Sequence, residues 1–359
     1  MKKNPSHCTR RKFLGTSLAT TVTMAAVPTV ALSAQNPSPA PVASNGKLPP
    51  LPFNPRTADA MPMRNLGRTG FRVGIFSLGC QAAIEVKGNE KLAVDIMNRA
   101  IDLGVNYFDT SNVYGRGASE EHVGLVMRDR RREVFLASKT TRRDYDTAMS
   151  HLELSFKRMH TDHLDLWQIH NLKEMEEVDR LFAPDGALKA FQQAKEEGLV
   201  RFIGVTGHYE PNVLRELISR VNLDCILMAV NAADPHYLSF IEHLLPVALE
   251  KEMGIIGMKV ATRGRMLSTW EPDPLEEQPE RMRTAKPGSI TMSESLAYNF
   301  SLPVSTNIVG VDNVEQLEAN MRCAANFMPL SEPQMRDLEK RTLPIVRQAL
   351  YFRRWNLGA

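Results

Sequence analysis

Between Phe76 and Val311 the sequence repeats one pattern eight times: a short β-branched or aromatic run, then a longer segment whose apolar residues recur at helical spacing. The runs are "FSLGC", "NYFDT", "VFLASK", "LDLWQIH", "FIGVTG", "CILMAV", "GIIGMKV" and "NIVGV", and helical periodicity is clearest over 91–103, 120–128, 147–159 and 314–324. Strands that alternate with helices assemble into a parallel sheet. Eight such units in about 260 residues match the size of a closed (β/α)8 TIM barrel. A doubly wound open sheet is the other arrangement for this alternation, and the regular count of eight favours the barrel. Ahead of the first run, "MRNLGRTGFRVG" has the Gly-punctuated pattern of a hairpin that can plug the bottom of a barrel.

The chain has 359 residues, of which 43% are hydrophobic and 24% charged, the balance of a soluble globular protein with material for a sizeable core. A formal charge of +3 without a long Lys/Arg run argues against nucleic acid and polybasic membrane contact, which leaves small molecules as partners. Cys8, Cys80, Cys225 and Cys323 form no C-x-x-C pair and no metal-type spacing, so neither a zinc site nor an iron–sulfur cluster is expected. The three that would survive removal of the N-terminus, Cys80, Cys225 and Cys323, read as small buried hydrophobes rather than a disulfide framework.

The first 34 residues follow a different rule. Arg10 and Arg11 precede Phe13 and Leu14, then a moderately apolar Ala/Thr/Val stretch and small residues near Ala34. This order resembles a twin-arginine export signal, which implies recognition by that export machinery, cleavage and a periplasmic location. The apolar part is interrupted by Thr and Pro28 and is marginal for a membrane span, so no stable anchor is expected. Residues 35–62, rich in proline and without periodicity, read as an extended linker, and 63–359 as the barrel.

In a (β/α)8 barrel the reacting groups sit at the C-terminal ends of strands. Asp109 closes the second run, Tyr114 follows in its loop, Lys139 closes the third and His170 the fourth, so three successive units point an acid, a phenol, an ammonium and an imidazole into one mouth. With "FDTSNVYG", "ASKT" and "IH" in this order, "GRTG" upstream and "NVEQLEAN" downstream, the chain resembles the aldo-keto reductases over essentially all of 63–359.

The resemblance implies NAD(P)H-dependent reduction of an aldehyde or ketone, with Asp109, Tyr114, Lys139 and His170 as the catalytic set. Negative charge develops on the carbonyl oxygen during hydride transfer, so the site must supply a proton and a polarising donor. A free tyrosine, with a pKa of about 10, exchanges protons slowly at neutral pH. A neighbouring Lys139 is expected to lower that value, Asp109 to keep the lysine charged, and His170 to hold the carbonyl oxygen.

The resemblance also places cofactor contacts at Thr206, Met258, Lys259, Arg263, Gly264, Gly310, Gln316 and Asn320, with NADP as the family default and NAD left open. Several of these depart from the family pattern. Thr206 and Gly207 stand where Ser-Asn is common, Leu227 where a glutamine is, and Met258 where an aromatic usually stacks on nicotinamide. Gly310 and Gln316 occupy positions where phosphate-selective relatives carry Lys and Arg.

Two other readings compete. A metal-dependent barrel hydrolase would use His170, His208, Asp234 and His236, all at or beyond strand ends. A nucleotide-binding protein without turnover is the second. The C-terminal "QALYFRRWNLGA", with Tyr351, Phe352 and Trp355, either closes over the barrel or meets a partner.

Overall fold

The computed structural model describes residues 48–272, 274–278 and 286–355. Two short strands, β1 (Met63–Asn65) and β2 (Arg72–Gly74), pair antiparallel as the expected hairpin. The eight runs become β3 (Phe76–Gly79), β4 (Tyr107–Asp109), β5 (Phe135–Thr140), β6 (Leu164–Ile169), β7 (Val200–Gly207), β8 (Cys225–Ala229), β9 (Gly254–Met258) and β10 (Thr306–Val309). All pair in parallel in sequence order, and β10 returns to β3, so the barrel is closed. The segments of clearest periodicity form the helices Glu90–Asp102, Ala118–Arg130, Tyr145–Met159 and Val314–Ala325. Asp144 and Asn313 cap the last two by accepting from Thr147 N at 3.0 Å and Gln316 N at 2.8 Å.

The two-residue period of a strand sorts side chains between barrel interior and helix layer. Tyr107, Phe135, Ala137, Leu166, Cys225, Leu227 and Ile256 form an inner cluster with Leu66, Phe71 and Val73 of the hairpin. Phe135 stacks on Tyr107 at 5.3 Å and meets Phe71 at 4.6 Å between centroids, so the hairpin does plug the bottom. Phe108, Leu136, Trp167 and Ile169 belong instead to the outer core, where Trp167 stacks on Phe191 of the helix Ala187–Glu196 at 3.8 Å. Asp109, Lys139 and Gln168 have the parity of the inner set. They sit above its apolar floor.

The stretch expected to be a linker is corrected in its second half. Asn54 is buried and donates to Ile101 O at 2.8 Å and Val105 O at 3.1 Å, Phe53 N donates to Arg132 O at 2.8 Å, and Thr57–Ala60 makes a helical turn with Met61 buried behind it. This segment is attached by hydrogen bonds to backbone groups of the barrel, which leave no hydrophobic period in a sequence. The segment expected to be an export signal, 1–34, lies outside the described residues. Among those described, no helix is long and apolar enough to cross a membrane. Cys80, Cys225 and Cys323 are free, the first two fully buried.

Candidate active site

Three adjacent strand ends bring the four sequence-identified groups together. Lys139 is buried, and its three N–H bonds are assigned: Nζ donates to Asp109 Oδ1, to Thr110 O at 2.7 Å and to Tyr114 Oη at 3.4 Å. His170 meets the Tyr114 ring edge-on, with centroids 5.7 Å apart. Asp109 and Lys139 are wholly enclosed, whereas Tyr114 and His170 are half-buried and reach the mouth. This layering suits a buried charge pair that supports two groups able to touch a ligand.

Burial opposes the Lys139 charge, but Asp109 and the Tyr114 phenol outweigh it and hold the ammonium above the ordinary lysine range. Tyr114 departs from the sequence expectation. Burial pushes its phenol above the ordinary tyrosine value, and Lys139 offsets only part of that rise. Burial first, then the positive charge of Lys139, presses His170 well below its usual value, so the imidazole is neutral at pH 7.

Side chains that charge-based sequence reasoning passed over complete the site. Ser111 Oγ lies 3.0 Å from His170 Nδ1, and Gln168 Nε2 donates to Asp109 Oδ2 at 3.0 Å. Arg143 donates from Nη2 to His170 O at 2.7 Å, and Asn171 N to Thr206 Oγ1 at 2.9 Å. The Tyr114 loop is fixed by contact and charge. Gly115 has φ +56°, and a Cβ there would lie 1.9 Å from Glu85 O, so only glycine fits. Buried Glu120 accepts from Ser138 Oγ at 2.6 Å and from Arg158, which also donates to Asn112 O at 3.2 Å, joining the loop to β5 beside Lys139.

The expected cofactor contacts lie along the exits of β7, β9 and β10. Thr206 is buried at the end of β7, and Met258, half-buried, closes β9. Beyond it Lys259 (φ 62°), Thr262 (φ 51°), Arg263 (φ 56°) and Gly264 (φ 84°) form a left-handed cluster, and a Cβ on Gly264 would come within 2.8 Å of the Trp270 ring. Burial, and then Arg263, lower Lys259 to about 8, and among the described residues no carboxylate lies within ion-pair distance of it. Gly310 is exposed where β10 ends, and Asn320 is buried in the following helix. Gln316 is engaged locally, its Oε1 accepting from Asp312 N at 2.9 Å.

The four proposed metal-hydrolase ligands do not form one centre. Asp234 is consumed by Arg353 in a fully buried pair and by Ser239 Oγ at 2.7 Å, while His236 Nε2 meets Glu339 O at 2.7 Å. Arg353 belongs to the tail and packs it against the barrel. It also donates to His208 O at 2.9 Å and Ala229 O at 3.1 Å, while Trp355 stacks on Tyr237 at 3.9 Å and Phe352 meets the His208 ring at 5.4 Å. The described tail closes over the β7–β8 side of the mouth.

The chain is similar to known proteins. An uncharacterized oxidoreductase of Bacillus subtilis, YqkF, is 27% identical over 316 residues, 79% of this chain and 97% of its own. The L-galactose dehydrogenase of Arabidopsis thaliana is 27% identical over 296 residues, 76% of this chain and 91% of its own. The holo form of an aldo-keto reductase from Bacillus halodurans, AKR11C1, superposes with a TM-score of 0.61 at 24% identity, over 78% of this chain and 96% of that one, a likeness of fold. Residues 73–342 match the sequence model of the Aldo/keto reductase family, and with the closed barrel the chain belongs to that family of oxidoreductases.

Proposed function

We propose that the protein reduces an aldehyde or ketone to an alcohol with a nicotinamide cofactor, reversibly, and that Tyr114 carries the proton. The observation that supports this best is the Lys139 ammonium shared between buried Asp109 and the Tyr114 hydroxyl, 3.4 Å away, with His170 beside the same phenol. NADP is proposed as the cofactor and NAD as accepted, since Asp312 and Gln316 place no cation at the β10 exit. The residues fit a dinucleotide: Lys259 is a cation without an ion-pair partner among those described, and Arg263 is exposed beside it. Thr206, Met258, Lys259, Arg263, Gly264, Gly310, Gln316 and Asn320 would hold it.

When bound, the nicotinamide supplies the hydride. Tyr114 gives its hydroxyl proton to the carbonyl oxygen as charge develops there, and Lys139 stabilises the phenolate left behind. In this role His170 takes the tautomer in which Nδ1 accepts from Ser111 Oγ, 3.0 Å away, and Nε2–H binds the same oxygen and orients it. In the reverse direction the Tyr114 phenolate accepts the alcohol proton. We further propose that the chain leaves the cytoplasm folded, read out by Arg10 and Arg11.

The test is Tyr114→Phe in the purified full chain, with NADPH oxidation and NADPH fluorescence measured side by side. We expect kcat to fall on the order of 10²- to 10⁴-fold, the worth of a general acid, with dinucleotide affinity retained. Near-normal turnover would remove Tyr114 from its role. Dinucleotide binding without turnover in wild type, over a panel of aldehydes and ketones, would favour the binding-protein reading instead.

A further inference from the structure

We propose that Gln168 is a positioning residue that holds the Asp109 carboxylate so that Lys139 stays aimed at Tyr114, an inference that rests on the function proposed above. Gln168 is the register partner of Lys139 on the adjacent strand and is fully buried. Lys139 and Gln168 donate to Asp109 in hydrogen bonds of good geometry, one to each oxygen. The other titratable groups in electrostatic reach are unsuited to this task. Burial, and then the Asp109 charge, keep Cys80 and Tyr107 protonated, and the Tyr107 hydroxyl faces Asp109 without forming a hydrogen bond of good geometry.

A carboxylate can only accept, so the amide orientation at Gln168 is fixed with its NH2 toward Asp109. Its Oε1 is then left buried without a partner. An aliphatic side chain would avoid that orphaned acceptor, whereas the amide serves the second oxygen of Asp109. With both oxygens engaged the carboxylate cannot rotate about its Cβ–Cγ bond without breaking a bond. The ammonium, already divided among Asp109, Thr110 O and Tyr114, keeps its third N–H on the phenol. With the second oxygen released, Asp109 and Lys139 can turn together and the phenol loses part of its support.

The experiment compares wild type with Gln168→Leu, Gln168→Met and Gln168→Glu. In the Leu and Met variants, kcat should fall about 10- to 100-fold, as misplacement of a reacting group does, with dinucleotide affinity unchanged. The limb of alcohol oxidation that reports phenolate formation should move to higher pH. Gln168→Glu presents a donor only when protonated, so its rate relative to wild type should recover as pH falls. Nitrogen-15 spectra of the Lys139 ammonium should show faster proton exchange with water in the Leu and Met variants. Rates, pH limb and ammonium exchange within about twofold of wild type in these two would overturn the proposal, as would a wild-type pH profile for Gln168→Glu. Should the Leu variant fail to fold, the Met and Glu variants decide. A wild type that reduces no carbonyl would defeat the proposed function, while the ammonium exchange still decides what Gln168 does to Lys139.

Discussion

Replacing Lys139 by methionine tests the core of the site through stability as well as rate. Lys139 and Asp109 are 1% and 0% exposed, so the substitution strands a buried carboxylate without its cation, held by Gln168 Nε2 and faced by the neutral Tyr107 hydroxyl. Breaking a buried pair by removing one partner costs about 3–5 kcal/mol, far more than the pair is worth against a neutral replacement of both. The expected loss at neutral pH is of that size. It should also depend on pH in a defined direction. An unpaired buried carboxylate is disfavoured in its charged form, so the variant takes up a proton on folding. The folded state then binds more protons than the unfolded one, and stability falls as pH rises, by at most about 1.4 kcal/mol per unit.

The second substitution separates charge from packing. Asp109→Asn with Lys139→Met removes both charges, and the new carbonyl can still accept from Gln168, so most of the lost stability should return. The rate should not. Both variants should sit on the order of 100-fold or more below wild type in kcat, because neither supplies a cation to Tyr114. Urea unfolding followed by tryptophan fluorescence at several pH values from 5.5 to 8.5 supplies the stabilities. A single variant within about 1 kcal/mol of wild type at the upper end, or a loss that is flat with pH, would mean that Lys139 and Asp109 do not form the charged pair described here.

Gly115→Ala should lower kcat with little change in dinucleotide affinity, since its Cβ would meet Glu85 O at 1.9 Å and shift the Tyr114 loop; unchanged steady-state rates would show that the loop adapts freely. Lys259, lowered to about 8, is charged below that pH and neutral above it, so affinity for an anionic dinucleotide should weaken as pH rises through that region and lose the dependence in Lys259→Met, as read by fluorescence titration. Replacing Arg10 and Arg11 by Lys should leave full-length precursor in the cytoplasm, because guanidinium and ammonium are not equivalent where a paired motif is read; normal export on cell fractionation would remove the signal reading.

The barrel was legible because parallel strands alternating with helices leave two different periods in one sequence. Asp109, Lys139 and His170 were legible for a related reason: each closes a run, and each carries a charge or an imidazole that an apolar run does not otherwise contain. Gln168 had the same signal, two residues before His170 in "LWQIH" and therefore on the same face, but an uncharged amide draws no notice until its partner is known. The tail was legible only as an alternative, closure over the barrel or contact with a partner, and not in its anchoring residue. Arg353 and Asp234 are 119 residues apart, and nothing local in "FRRW" distinguishes the arginine that enters the interior from Arg354, which reaches Glu174 near the surface. The rise of Tyr114 was missed because pairwise charge reasoning counts the helpful lysine and omits the water that burial removes.

The two sides of the mouth differ in how their polar groups are satisfied, and that difference bears on which side can vary. From β4 to β6 the donors and acceptors interlock: Lys139 spends all three N–H bonds, Asp109 uses both oxygens, and the Tyr114 loop is tied through Arg158 and Glu120 to β5. A change at one of these positions leaves a buried group unmatched, which costs more than the bond itself contributed. From β7 to β10 the buried Arg353–Asp234 pair under the tail is interlocked in the same way, but the side chains of Met258, Lys259 and Gln316 lie outside it. Met258 can exchange with other apolar side chains, Gln316 is tied to its own turn, and Lys259 has no ion-pair partner among the described residues. The departures from the family pattern fall on this second side. Under the proposed function, substitutions at Met258 and Gln316 would alter how a dinucleotide is held without unbalancing the buried charges under Tyr114, so departures there are compatible with the proposed proton-transfer role of Tyr114.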